Sequence, residues 1–309
     1  MTLAGLWGCR KDVVSFEPAP STLEEIQNLL GQVPSASAQT TFVLSGFVPD
    51  TVLTTPGGVR VFLTDTEQLF EDAEDNLVPC STCQALRIEV TEVLKKGDMI
   101  AYGIPTTTTE NELLESGGIV KVVVTCDGKP LRLLPDRNLK IQIPATDPAD
   151  DMHIYSAKMQ HDTFAGWMDT GLPVFQAEWP NPNGGDKITG YELFGPALGW
   201  LNYARPVNEQ STSFCVDLPA GFNPENTTAY LVFKNMRSVA AMEIDLANQT
   251  FCYKNAPHGF QVKIVTVSKL GNGQYWLGNL ETEIGTNATL NLSPLEVDES
   301  QMLNFLKSL

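Results

Sequence analysis

The chain has 309 residues, enough for two ordinary domains with a core each. Its 37 acidic against 20 basic residues give a formal net charge of −17, which argues against nucleic acid or an anionic membrane surface as partner, since both are met by clustered Lys and Arg. A hydrophobic content of 42% with 14 Phe and 5 Trp excludes a disordered chain, and no apolar run approaches the length of a membrane span.

Residues 1–9 read MTLAGLWGC, and the charged Arg10-Lys11-Asp12 follows. The run resembles the tail of a bacterial lipoprotein signal, in which a small residue precedes a cysteine that is lipidated and becomes the first mature residue. Leu6, Gly8 and Cys9 fit; Trp7 and the lack of a positive n-region and full h-region depart from it. The bland alternative is a loose terminus with a chance cysteine. Residues 1–40 are expected to form this signal remnant and a tether carrying one short helix, capped by Ser21 with Glu24 and stopped by Gly31.

From Thr41 onward, short alternating runs separated by Gly, Pro, Asn and Asp predict a mostly β protein of two sandwich-like domains. Residues 41–160 make the first, with strands at 42–44, 59–63, 87–94, 119–126 and 139–144. Within it, Gly97-Asp98, Pro105 with its threonines, and Gly117-Gly118 read as turns. Residues 161–190 show little alternation and carry Trp167, Trp179, Pro180 and Pro182, so they read as a long connection. The second domain, 191–309, has strand runs at 213–216, 230–233, 261–267 and 274–277, and an amphipathic C-terminal helix with Met302, Leu303 and Leu306.

With Cys9 lipidated, five of the six cysteines remain, and in an oxidising compartment at least one is expected to stay unpaired within the monomer. Cys215 and Cys252 both sit in strand-like runs of the second domain and make the preferred disulfide. Cys80-Ser81-Thr82-Cys83 follows Pro79 and precedes a strand, whereas a redox pair wants its first cysteine at a helix N-terminus. Zinc would need two further ligands, and Cys126, His153 and His161 offer no second paired spacing. A disulfide, local or to Cys126, is therefore the expected fate of the Cys80 and Cys83 pair, with no metal.

Nothing in the sequence calls for a cofactor or a nucleophilic triad. The acidic run Asp65 to Asp75 lacks calcium-loop spacing, His153, His161 and His258 form no paired motif, and the Gly-Gly pairs lack the Lys-Ser/Thr of a phosphate loop. Dispersed carboxylates leave a glycan or peptide hydrolase open as an alternative. Trp167, Trp179, Trp200, Tyr203, Tyr275 and Trp276 are the candidate ligand platform, with core packing as the competing reading.

The runs Arg87–Val93, Lys96–Met99, Ile104–Thr107, Glu112–Gly118 and Gly128–Leu131 stand in an order that resembles a group of uncharacterised secreted or lipid-anchored two-domain β proteins of Bacteroidota-type bacteria. Leu198–Asn202 is similar to that group's Gly-Trp-Ile-Asn element, while Tyr203-Ala204-Arg205 departs from its Cys-Asp-Arg. The resemblance implies a fold and a location in the cell envelope, outer membrane or periplasm, or outside the cell. The expected role is a non-catalytic envelope protein that binds a protein or glycan partner, with a structural part of the envelope as a further alternative. Nucleic acid is not expected, and the membrane is met only through the anchor.

Overall fold

The computed structural model describes residues 22–35, 38–46, 48–161, 163–182, 184–271 and 274–309; Cys9 and Ser21 lie outside them. The elements run α1 Thr22–Leu30, β1 Gln39–Leu44, β2 Thr51–Thr54, β3 Arg60–Leu63, β4 Phe70–Glu71, β5 Leu86–Val93, α2 Lys96–Ala101, β6 Leu114–Cys126, β7 Lys129–Pro130, β8 Arg132–Leu133 and β9 Leu139–Pro144. They continue β10 His153–Gln160, β11 Thr163–Pro173, β12 Phe175–Trp179, β13 Ile188–Gly195, β14 Gly199–Pro206, β15 Ser211–Asp217 and β16 Thr227–Phe233. The last are β17 Val239–Asp245, β18 Thr250–Pro257, β19 Gln261–Leu270, β20 Gln274–Glu283, β21 Ala288–Asn291, β22 Leu295–Val297 and α3 Glu299–Lys307. The protein is mostly β, with a helix near each end of the described chain.

Three sheets carry the architecture. A 7-stranded sheet runs β1-β5-β6-β14-β10-β11 with β7 on β6, and a 5-stranded sheet runs β12-β13-β9-β3-β2. They face each other over one core: Ile88, Val90, Val120, Val122, Val124, Leu201 and Tyr203 from the first meet Val61, Leu63, Ile141, Ile143, Tyr191 and Leu193 from the second. In β5, Leu86, Ile88 and Val90 are buried while Arg87 stays exposed, the alternation a half-buried strand requires. The 8-stranded sheet, β21-β15-β18-β17-β16-β19-β20-β22, makes the second sandwich-like unit. Its β16 is buried on both faces: Ala229, Leu231 and Phe233 point into one core, Tyr230 and Val232 into another, so the strand reads as one apolar run.

That other core joins the two units. Ile26 and Leu29 of α1, Met99 and Ile100 of α2, and Met302 and Leu306 of α3 pack with Val93, Ile119, Tyr155 and Trp167 on one side and Val239, Val265 and Val267 on the other. Gly97 lets α2 approach α3, since a Cβ there would stand 2.0 Å from the Leu306 carbonyl oxygen. Helix α3 starts on a capping box: the Gln301 N–H donates to Asp298 Oδ1 at 2.8 Å and the Asp298 N–H donates to Gln301 Oε1 at 3.0 Å.

Three expectations need correction. Residues 22–33 are no free tether, because Ile26, Leu29, Leu30 and Val33 are buried in the shared core. Residues 161–190 are mostly strand, β11 and β12; both lie at sheet edges, where both faces meet solvent in places and alternation fades. Accordingly β13 and β14 belong to the first sandwich, and the chain passes to the second between Pro206 and Ser211. Two of the expected turns are regular structure: Gly97-Asp98 lies within α2, and Gly117-Gly118 is an irregularity inside β6, where Tyr203 pairs with Gly118 and Ala204 with Ser116. A Cβ on Gly117 would meet the Tyr203 ring at 2.4 Å, so the glycine makes room for a wholly buried tyrosine.

Candidate functional site

Two cysteine pairs are joined. Cys83 bonds Cys126 and Cys215 bonds Cys252, the second pair directly opposed across β15 and β18. Two disulfides mark an oxidising, extracytoplasmic environment. Cys80 is the exception to the expected pairing, being a buried free thiol. Burial, with Glu67 nearby, pushes that thiol up to about 12, so it is poor in reactive thiolate.

The platform residues do not come together. Trp167 is wholly buried and its Nε1–H donates to the Pro105 carbonyl at 2.8 Å; Tyr203 is wholly buried against Tyr191, 5.0 Å between ring centroids. Trp200 is half-buried between Lys121 and Tyr102, Trp276 packs edge-on to Phe222, and Tyr275 lies under Lys269. These are packing roles. Trp179 lies on the outward side of the 5-stranded sheet but is 4% exposed, so it supports that face from beneath.

The registers of that sheet fix two rows across its outer face. One row reads Phe175, Glu192, Gln142, Arg60, Thr54, and the next Phe194, Lys140, Phe62, Val52. Their inward neighbours Tyr191, Leu193, Ile141 and Val61 fill the core, so strand alternation obliges this set to face out. Phe175 is 50% exposed, Phe194 39% and Val52 40%. The two phenylalanines meet edge-on at 6.3 Å.

Charge is threaded between the rings. Lys140 Nζ lies 4.8 Å from the Phe62 centroid and 5.9 Å from that of Phe194, while the Arg60 guanidinium lies 5.1 Å from Phe62 and 6.0 Å from Trp179. Arg60 donates to Gln142 Oε1 at 2.7 Å, Gln142 Nε2 donates to Glu192 Oε2 at 2.7 Å, and Lys140 pairs with the same carboxylate at 2.8 Å. Burial works against the Glu192 charge, but the hydrogen bonds from Lys140 and Gln142 prevail and hold its carboxyl below the usual range. The chain of contacts fixes long side chains in place, which lowers the entropy lost when a ligand lands on them. Gly190 completes the face: a Cβ there would stand 2.7 Å from Trp179 Cη2 and 2.2 Å from the Ile143 carbonyl oxygen, so only glycine lets the indole lie flat on the strand.

Sequence reading named Trp179 and missed Phe62, Phe175, Phe194, Arg60 and Lys140. Alternation within Arg60–Leu63 and Leu139–Pro144 held the signal, since it places Phe62 and Lys140 opposite the core residues.

A second place of interest is a cleft of about 250 Å³ where the chain leaves the first sandwich, lined among others by Glu112, Glu209, Asn208, Ser211 and Asn255. Both glutamates are exposed.

No protein-family model matches the chain, and no curated protein matches it.

Proposed function

We propose that this is a non-catalytic binding protein of the cell envelope that holds a glycan strand across the outer face of its 5-stranded sheet. The observation that carries the reading is the pair of rows in which exposed Phe175 and Phe194 alternate with Glu192, Gln142, Lys140 and Arg60. Sugar rings present apolar C–H faces that stack on aromatic rings and hydroxyls that need fixed donors and acceptors, and this face offers both at neighbouring positions. An open surface fits a run of sugar units better than a single small molecule. The two disulfides support the compartment, and the resemblance of residues 1–12 to a lipoprotein signal supports attachment through Cys9.

Affinity electrophoresis through gels containing envelope and extracellular polysaccharides tests the binding. Retardation by at least one polysaccharide, abolished in Phe175→Ala/Phe194→Ala, is the expected result. Equal mobility in every gel, with a protein retained from envelope extract by the same face, would replace the glycan by a protein partner. Intact mass of the protein from its native host tests the anchor, the expected chain starting at Cys9 with added acyl mass.

The cleft that holds both Glu112 and Glu209 favours a second reading, hydrolysis of a glycan or peptide by paired carboxylates. Turnover of a polysaccharide that stops in Glu112→Gln and Glu209→Gln would establish it in place of pure binding.

A further inference from the structure

In a chain with 37 acidic and 20 basic residues, cations gather where the two sandwich-like units and α3 meet. A cleft of about 350 Å³ there is lined by Leu94, Lys95 and Lys96 from the start of α2, by Lys234, Asn235, Met236 and Arg237 from the turn between β16 and β17, and by Leu309. Four cations line it and no acidic side chain does. The adjoining cleft adds Lys263 and one carboxylate, Glu281, which serves Lys234 at 2.8 Å and Lys263 at 3.5 Å. Lys95, Lys96 and Arg237 form no ion pair among the described residues.

The scaffold holds these charges in place despite their repulsion. Lys96 Nζ donates to the carbonyls of Phe233, Lys234 and Met236, which ties the first unit to the turn of the second. The turn is also stapled to β6: the Ser116 N–H donates to the Arg237 carbonyl at 3.3 Å and Ser238 Oγ donates to the Leu114 carbonyl at 2.8 Å. Burial, then Lys263 and Arg237, lower the Lys96 ammonium below its usual range, the sign of positive charge without compensation. With the Lys96 protons committed to carbonyls, the free donors are the exposed Lys95, the half-buried Arg237 and the Asn235 amide. A planar fork, a point charge and an amide lining one cleft match a tetrahedral oxyanion, which presents several acceptor oxygens at once.

We infer that this cleft is a binding site for a phosphate or sulfate group, with Arg237 and Lys95 as its principal ligands. The group would arrive on a soluble phosphorylated or sulfated molecule or on a lipid headgroup, and the chemistry of recognition is the same. The inference stands apart from the glycan reading, because the two surfaces share no residue.

The test is calorimetric titration of the full chain with inorganic phosphate and with sulfate at low ionic strength, then at higher salt. The expected result is saturable one-to-one binding that weakens as salt rises. Loss of one charge-assisted ligand is expected to weaken it by about tenfold or more in Arg237→Gln and in Lys95→Gln, and to leave it unchanged in Lys158→Gln, at an exposed lysine of β10 outside both surfaces. Lys95 is exposed, so its variant keeps the fold even if Arg237→Gln does not. Absence of saturable binding, or equal affinity in Lys95→Gln and the unaltered chain, would overturn the site. Sedimentation with phosphatidate vesicles separates the sources: co-sedimentation lost in the same variants assigns a headgroup, and phosphate binding without co-sedimentation assigns a soluble ligand.

Discussion

Removing the Cys215–Cys252 bond by Cys215→Ala/Cys252→Ala gives a measure of how the two units are coupled. The bond spans a sequence separation of 37, and closing a loop of that size removes unfolded-chain entropy equivalent to about 4 kcal/mol. The temperature at which that loss is felt depends on how much chain unfolds at once. With an unfolding entropy of about 2.1 cal/mol/K per residue, cooperative unfolding of all 309 residues turns it into a fall of about 6 °C in Tm. If the second unit, of about 100 residues, unfolded alone, the same loss would lower its transition by about 20 °C. The shared core decides between them, since Ile26, Met99, Trp167, Val239, Val265 and Met302 from both units and all three helices pack in one cluster. Scanning calorimetry should therefore show one transition shifted by the smaller amount. Two transitions, with only the upper or lower one displaced by the larger amount, would refute the coupling; no shift would refute the bond's contribution.

Other consequences follow from buried groups. Glu92 is 6% exposed beneath the β2–β3 turn, hydrogen-bonded to Thr55 Oγ1 and reached by the Val59 N–H, and burial raises its carboxyl above the usual range. The folded state then holds this proton more tightly than the unfolded one, so stability falls as pH climbs from the ordinary carboxylate value through the raised folded value. Glu92→Gln should abolish that decline and gain on the unaltered chain across the window; a Tm difference independent of pH would contradict it. Gly97→Ala should cost roughly 1–3 kcal/mol in denaturant unfolding through its clash with Leu306, and neutrality would show that α2 and α3 are loosely packed. The Cys80 thiol should resist alkylation at about pH 8 in the folded chain and react fully in guanidinium, as peptide mapping would show.

Legibility followed burial. Strand β5 was plain because one face is core and the other water, and α3 because Met302 and Leu306 recur at helical spacing. The Cys215–Cys252 pair was readable from two strand-like runs, whereas the partner of Cys83 lay across the sheet at Cys126 and its choice over Cys80 is a fact of three dimensions. Strands β11 and β12 were hidden by their edge positions, and Gly117-Gly118 imitated a turn because its purpose is to clear space for Tyr203. The candidate face was the hardest part. Its residues come from β2, β3, β9, β12 and β13, and only the sheet order β12-β13-β9-β3-β2 makes Phe175, Phe194, Lys140 and Phe62 neighbours. Large aromatic residues drew attention by type, yet Trp167 and Tyr203 are spent on the core.

The most direct test of the central claim is an amide chemical-shift titration of the protein with an oligosaccharide from any polysaccharide that retards it. Binding on the aromatic face predicts saturable shifts in β2, β3, β9, β12 and β13, largest around Phe175, Phe194, Lys140 and Arg60. Shifts centred instead on Glu112, Glu209 and Asn255, or none at all, would contradict it.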